Sequence, residues 1–130
     1  MPDQHILPRW RGFNLLDLYT VKHDGTFPEQ DVRWIAEFGF DFVRLPMTYR
    51  LWTDPDDRFV FREDVLQKLD RGIDQAIDHG LHVCLNIHHA PGYCINKKAD
   101  ETTNLWKDPE PLEAFVHYWT HFARRYRGIA

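Results

Sequence analysis

Apolar positions along the chain fall into three short extended runs, each followed by a stripe at helical spacing. The runs are Trp10–Leu16 (WRGFNLL), Phe40–Met47 (FDFVRLPM) and Leu81–Ile87 (LHVCLNI), all of strand length. A loop after the first run closes on Thr26 and Glu29, which have capping-box spacing. Val32, Ile35 and Ala36 then predict a helix that Gly39 ends. The second run leads through Tyr49, Trp52 and the turn residues Asp54, Pro55, Asp56 and Asp57 to the strongest stripe. That stripe is Val65, Leu66, Leu69, Ile73, Ala76 and Ile77, with Glu63 and Asp64 in its first turn and Gly80 as its stop. The third helix starts at Asp108 with a proline in its first turn. Its stripe reads Leu112, Phe115, Val116, Trp119, Phe122, Ala123 and Tyr126.

Strands alternating with helices predict parallel pairing through right-handed crossovers. The expected fold class is α/β, either a small open three-strand sheet or, as the length per unit favours, the first three βα units of a (β/α)8 barrel, parallel strands inside and helices on the outer face. Three units in 130 residues average about 43 each, and eight would need about 350, within the range of such barrels. Residues 1–130 are therefore expected to form a single incomplete domain. Three parallel strands leave raw edges and an apolar lumen face, which predicts self-association or dependence on a complementary barrel fragment.

Side chains alternate across a strand, so parity assigns faces. Val83, Leu85 and Ile87 share one face of the third strand, and Cys84, Asn86 and His88 the other. On the second strand Arg44 lies opposite Val43 and Leu45, and on the first Asn14 shares its parity with Gly12. The predicted lumen face thus carries Asn14, Arg44, Asn86 and His88 toward the carboxyl ends, where barrel sites form. A guanidinium within an apolar strand is unfavourable unless paired, so Arg44 predicts a buried carboxylate partner. The one strand-end acid is Asp17, a residue past the first strand; the partner is expected from outside the chain.

The stretches RGFNLLD (Arg11–Asp17), FDFVRLPM, GLHVCLNIHHAPGY (Gly80–Tyr93) and LWKDPEPLEAFVHYWTHFARRYRG (Leu105–Gly128) together resemble, in order and spacing, the opening third of glycoside hydrolase family 5. This is the cellulase and β-mannanase group of (β/α)8 barrels. The resemblance implies a retaining glycosidase for β-linked polysaccharide, β-1,4-glucan foremost, with two glutamates about 5–5.5 Å apart as acid/base and nucleophile. In the family pattern the acid/base lies in an Asn-Glu-Pro stretch after the fourth strand, and the nucleophile ends the seventh. No Asn-Glu pair occurs here, so both glutamates are expected outside the chain and the 130 residues alone are expected to be inactive. By the same resemblance Arg44 supports the nucleophile and His88 holds sugar hydroxyls. Asn14, His89 and Tyr93 are then further substrate contacts, the last two from the loop that Pro91 and Gly92 turn, with Asp17 a weaker candidate. An oligosaccharide or polysaccharide is the implied partner, with no cofactor and no metal.

Composition narrows the alternatives. A net charge of −4 gives no reason to bind nucleic acid, and the basic Ala123–Arg127 cluster suits a helix carboxyl end. No run is long enough to span a bilayer and no signal peptide is evident, so a cytoplasmic protein, or a secreted one with its signal removed, is expected. Cys84 and Cys94 read as free thiols. His117 and His121 have the i, i+4 spacing of a zinc pair but lack a third ligand. Trp52 and Tyr93 fit sugar-stacking platforms or loop packing equally, whereas Trp106 and Trp119 read as helix-packing residues. Two other classes stand beside the glycosidase: a small α/β carbohydrate-binding or complementation module, and a barrel enzyme binding metal through its histidines.

Overall fold

The computed structural model describes residues 8–96 and 99–129. In chain order these form β1 (Gly12–Asn14), α1 (Glu29–Glu37), β2 (Phe42–Thr48), α2 (Tyr49–Trp52), α3 (Glu63–Asp78), β3 (His82–Ala90), β4 (Tyr93–Cys94) and α4 (Pro109–Arg125). β1, β2 and β3 pair in parallel, and β4 folds back antiparallel on β3, in the spatial order β1-β2-β3-β4. The result is a curled, mostly parallel sheet with helices, matching part of a (β/α)8 barrel. Val43, Leu45 and Met47 on one face of β2 are buried with Val32 and Ile35 of α1 and Leu66, Leu69 and Ile73 of α3. Parity therefore gives one face of β2 to the helices and leaves Arg44 on the other. Among the described residues no helix is long and apolar enough to cross a membrane.

Local sequence explains where the strands begin and end. β1 runs so close to β2 that a Cβ on Gly12 would fall 1.5 Å from the Phe42 carbonyl oxygen, which only glycine avoids. The ladder between them is short because Leu15 donates to the Arg44 carbonyl and the next bond on that side, Thr48 to Leu18, comes four residues later. Pro46 sits between these two bonds, where its missing N–H leaves no orphan partner. β3 runs to Ala90, three residues past its expected end. Pro91 and Gly92 turn the chain into a hairpin that pairs His89 with Cys94 and Ala90 with Tyr93, so the two histidines belong to a strand and not to a loop.

Other expectations change for identifiable reasons. The capping box does not form: Thr26 instead bonds Asp24, through its N–H at 2.9 Å and its hydroxyl at 3.1 Å, and α1 starts without a side-chain cap. Asp108 occupies the cap position of α4, yet its carboxylate accepts from the Asn104 N–H at 2.7 Å. Along α4 the buried residues are Pro111, Ala114, Tyr118 and Phe122, while Leu112, Val116 and Trp119 remain 51%, 56% and 37% exposed. Two apolar stripes overlap on this helix, and aromatic packing selects between them. Trp52 stacks edge-on against Tyr118 at 4.7 Å and Phe122 at 5.1 Å and is fully buried, so it is core and no sugar platform. Trp106 lies outside α4, largely exposed and edge-on to Tyr93 at 6.0 Å. His117 and His121 both stack on Phe61, at 4.9 and 4.0 Å.

The basic cluster at the end of α4 does more than complement the helix dipole. Arg125 grips Asp70 through Nε at 2.8 Å and Nη2 at 2.6 Å, and reaches Glu63 at 2.6 Å. Tyr126 donates to Asp70 at 2.9 Å. Bidentate, charge-assisted bonds of this kind tie α4 to α3. Arg125→Ala is expected to lower stability by about 1–2 kcal/mol, read as a drop in the urea midpoint, and Arg125→Lys to recover little of it because an ammonium lacks the fork.

Candidate functional site

Arg44 lies on the middle strand of the three parallel ones, and its neighbours on both sides present asparagines. Nη1 donates to Asn14 Oδ1 at 3.3 Å and Nη2 donates to Asn86 Oδ1 at 2.7 Å. Three of the four residues assigned by parity thus meet across three strands. Amide oxygens satisfy donors but do not neutralise charge. No carboxylate of the described residues forms an ion pair with Arg44. Asp17 does not fill the role: burial raises its pKa, and the charges acting on it are His23, Asp31 and Asp24.

The two histidines at the tip of β3 serve different ends. Register slips between Met47, opposite Ile87, and Thr48, opposite His89, so His88 is an extra residue on β3. Such a bulge reverses the parity of the residues beyond it. His89, placed by simple alternation on the face opposite His88, is thereby brought to Thr48, whose hydroxyl lies 3.0 Å from Nδ1. Its Nε2 is 2.7 Å from Glu101 Oε1. Both ring nitrogens of His89, expected from the sequence to be a loop contact to substrate, are therefore engaged inside the protein. His88 keeps its ring against Tyr19, 5.4 Å between centroids, with no hydrogen bond to either nitrogen among the described residues.

Glu101 joins the loop after β4 to this group. Oε1 accepts from the Tyr49 hydroxyl at 3.0 Å, from Arg50 Nη2 at 2.8 Å and from His89, and Oε2 accepts from the Gly92 N–H at 2.8 Å. Arg50 also donates to the Asp100 carbonyl. Burial by itself would raise the Glu101 pKa, but the Gly92 N–H, the bonds from His89 and Tyr49 and the charge of Arg50 outweigh it and hold the carboxyl below the ordinary glutamate range. Burial pushes His89 below the ordinary imidazole range despite the pull of Glu101, so the pair is a neutral imidazole donating to a carboxylate. Beside them a cleft of about 310 Å³ opens, lined among others by Tyr19, Thr20, Thr48, Arg50, His89 and Cys94. Gly92 fixes its rim: its φ is +74° and a Cβ there would lie 2.5 Å from the Leu105 nitrogen. Tyr93, the next residue, is half-exposed beside Trp106.

Residues 5–129 match the sequence model of the cellulases, glycosyl hydrolase family 5. The chain belongs to glycoside hydrolase family 5. Endoglucanase C of Acetivibrio thermocellus is 36% identical over 110 residues, covering 84% of this chain and 32% of that protein. Cellodextrinase A of Ruminococcus flavefaciens is 29% identical over 122 residues, covering 89% of this chain and 35% of its own length. The family 5 chain thus spans about a third of these curated relatives. In structure it is similar to the endoglucanase Cel5A of Thermotoga maritima, with a TM-score of 0.71 at 25% identity over 93% of this chain and 37% of that one. The same enzyme has been solved in complex with cellobiose and with mannotriose.

Of the residues expected from the sequence, the structure brings Asn14, Arg44 and Asn86 together and joins His89 to Thr48 and Glu101, while Thr48, Arg50 and Glu101 are not among those expected. Thr48 lies one residue beyond the expected end of β2, on the parity of Arg44, so extending alternation by one step finds it. Glu101 sits in a polar loop without periodicity, and no local pattern marks it.

Both Glu101 and His89 bind protons less readily folded than unfolded. Stability from this group is therefore present at neutral pH and lost on acidification, first through the ordinary imidazole range and then below the carboxylate range. Because Glu101 itself raises the His89 pKa, the stability difference between wild type and Glu101→Gln does not shrink through the imidazole range and is expected to shrink only as pH falls from about 5 toward 3, through and below the ordinary glutamate range. Thermal melts across that range check this; a pH-independent difference contradicts it.

Proposed function

We propose that this chain is the amino-terminal part of the catalytic barrel of a retaining β-glycosidase, with β-1,4-glucan as the principal substrate. The carrying observation is Arg44, a guanidinium on the middle one of three parallel strands, four residues before the carboxyl tip of β2, held by two amide oxygens with no acid partner among the described residues. A cation so placed can keep a buried carboxylate ionised and aimed. In a double-displacement mechanism that carboxylate is the nucleophile, supplied by a later strand, opposite an acid/base glutamate about 5–5.5 Å away. Neither catalytic glutamate is assigned to this chain. His88, with neither nitrogen hydrogen-bonded among the described residues, offers one donor and one acceptor to a sugar hydroxyl. Asn14, Tyr93 and the cleft wall at Thr48 and Arg50 complete the floor on this side. The glucan preference draws support from the endoglucanase and cellodextrinase relatives; the mannotriose complex of the Thermotoga enzyme makes mannan the second substrate to try.

In the enzyme that carries this chain, Arg44→Lys is expected to lower kcat/KM on cello-oligosaccharides by about 100-fold, because a point charge cannot bridge two amides and a carboxylate together. Near-normal turnover would overturn the assignment. The 130-residue chain alone is expected to show no hydrolysis of soluble cellulose above the buffer rate, and to sediment as more than a monomer. Hydrolysis by the isolated chain, or a sharply monomeric and cooperatively melting species, would count against this reading.

A further inference from the structure

Glu101 has no counterpart among the residues that carry the family resemblance, yet its carboxylate accepts four hydrogen bonds beside the cleft. Its side chain is one-tenth exposed. Its four donors come from α2 (Tyr49 and Arg50), β3 (His89) and the hairpin turn (Gly92), segments far apart in sequence. An ionised carboxylate only accepts. His89 Nε2 must then carry the proton, which leaves Nδ1 as an acceptor for the Thr48 hydroxyl 3.0 Å away. The chain of contacts thus runs carboxylate to imidazole to hydroxyl, and it ends at the carboxyl tip of β2, four residues beyond Arg44. Thr48, Arg50 and His89, each held directly or through one bond by Glu101, all line the 310 Å³ cleft.

We infer that Glu101 is a positioning residue: its carboxylate locks His89 as the Nε2–H tautomer and fastens the loop after β4 to α2, so that Thr48 and Arg50 present a fixed wall to the sugar. The identity of the ligand rests on the glycosidase reading; the tautomer and the clamp do not. Glutamine at this position has the same shape but cannot serve. Whichever way its amide turns, the NH2 faces either the Gly92 N–H or the three donors at Oε1, and donor meets donor.

The test uses the enzyme that carries this chain, with cello-oligosaccharides as the probe and ¹⁵N-labelled histidine as the spectroscopic reporter. For Glu101→Gln the expected result is a KM about tenfold higher with kcat within about threefold, together with loss of the pure Nε2–H signature of His89. Glu101→Asp, which keeps the charge, recovers the tautomer in part. Thr48→Val cuts the other end of the relay without touching the carboxylate, so it carries the test if Glu101→Gln does not fold; a raised KM is required of it too. Unchanged KM and an unchanged His89 spectrum would overturn the inference, as would a fall in activity that only follows the folded fraction. If the wild-type enzyme cleaves no glucan or mannan, the glycosidase reading fails, and the His89 spectrum alone still decides whether Glu101 sets the tautomer.

Discussion

A guanidinium set into the middle of a sheet has to be solvated by something, and here the answer organises the site. Arg44 is met on either side by an amide oxygen, from Asn14 at 3.3 Å and Asn86 at 2.7 Å. That arrangement needs three parallel strands in one register. It also needs β1 close enough that only Gly12 fits beneath the Phe42 carbonyl. The amides hold the fork in place without cancelling its charge. The guanidinium charge of Arg44 therefore stays on the lumen side of this family 5 sheet although the sequence as a whole is acidic, with a net charge of −4. Local placement, and not net charge, determines what this face attracts.

The adjacent histidines show how one extra residue divides labour. Without the bulge at His88, alternation would send His89 to the helix face, away from Thr48. With it, both imidazoles stand at the strand tip. His89 is consumed by internal bonds on both nitrogens, while His88, beside Tyr19, has no hydrogen bond to either nitrogen among the described residues. A rigid neighbour beside an available one is what a binding floor requires, since ordering a side chain in advance removes an entropic penalty from ligand capture.

Period and parity made the scaffold legible. Strands of apolar alternation, helices ending at glycine and the shared face of Asn14, Arg44 and Asn86 all follow from spacing, because regular elements repeat their geometry. The features that escaped had no period. The bulge depends on where Pro91 and Gly92 return the chain as β4, and Glu101 depends on a loop whose shape is set by long-range bonds. The α4 stripe misled for a different reason: Leu112 and Val116 are as apolar and as helically spaced as the residues actually buried. Only the aromatic cluster of Trp52, Tyr118 and Phe122 discriminates, and that is a tertiary fact.

The polar and apolar halves of the molecule differ in how far these residues complete them. On the lumen side, Arg44, His89 and Glu101 find hydrogen-bond partners within the described residues, so this side of the sheet is organised locally. The apolar side is more open. On the edge of β3 away from β2, only His89 and Ala90 pair with a further strand among the described residues. A cavity of about 750 Å³ lies against Ile73, Ile77, Leu81, Val83, Leu85 and Tyr126, and Leu112, Val116 and Trp119 face water. Unpaired edge and uncovered apolar surface favour association. Charge-assisted polar contacts are short-ranged and can close within three strands; apolar burial grows with the surface enclosed. In these residues the polar contacts around Arg44 and Glu101 are thus closed while part of the apolar surface stays uncovered.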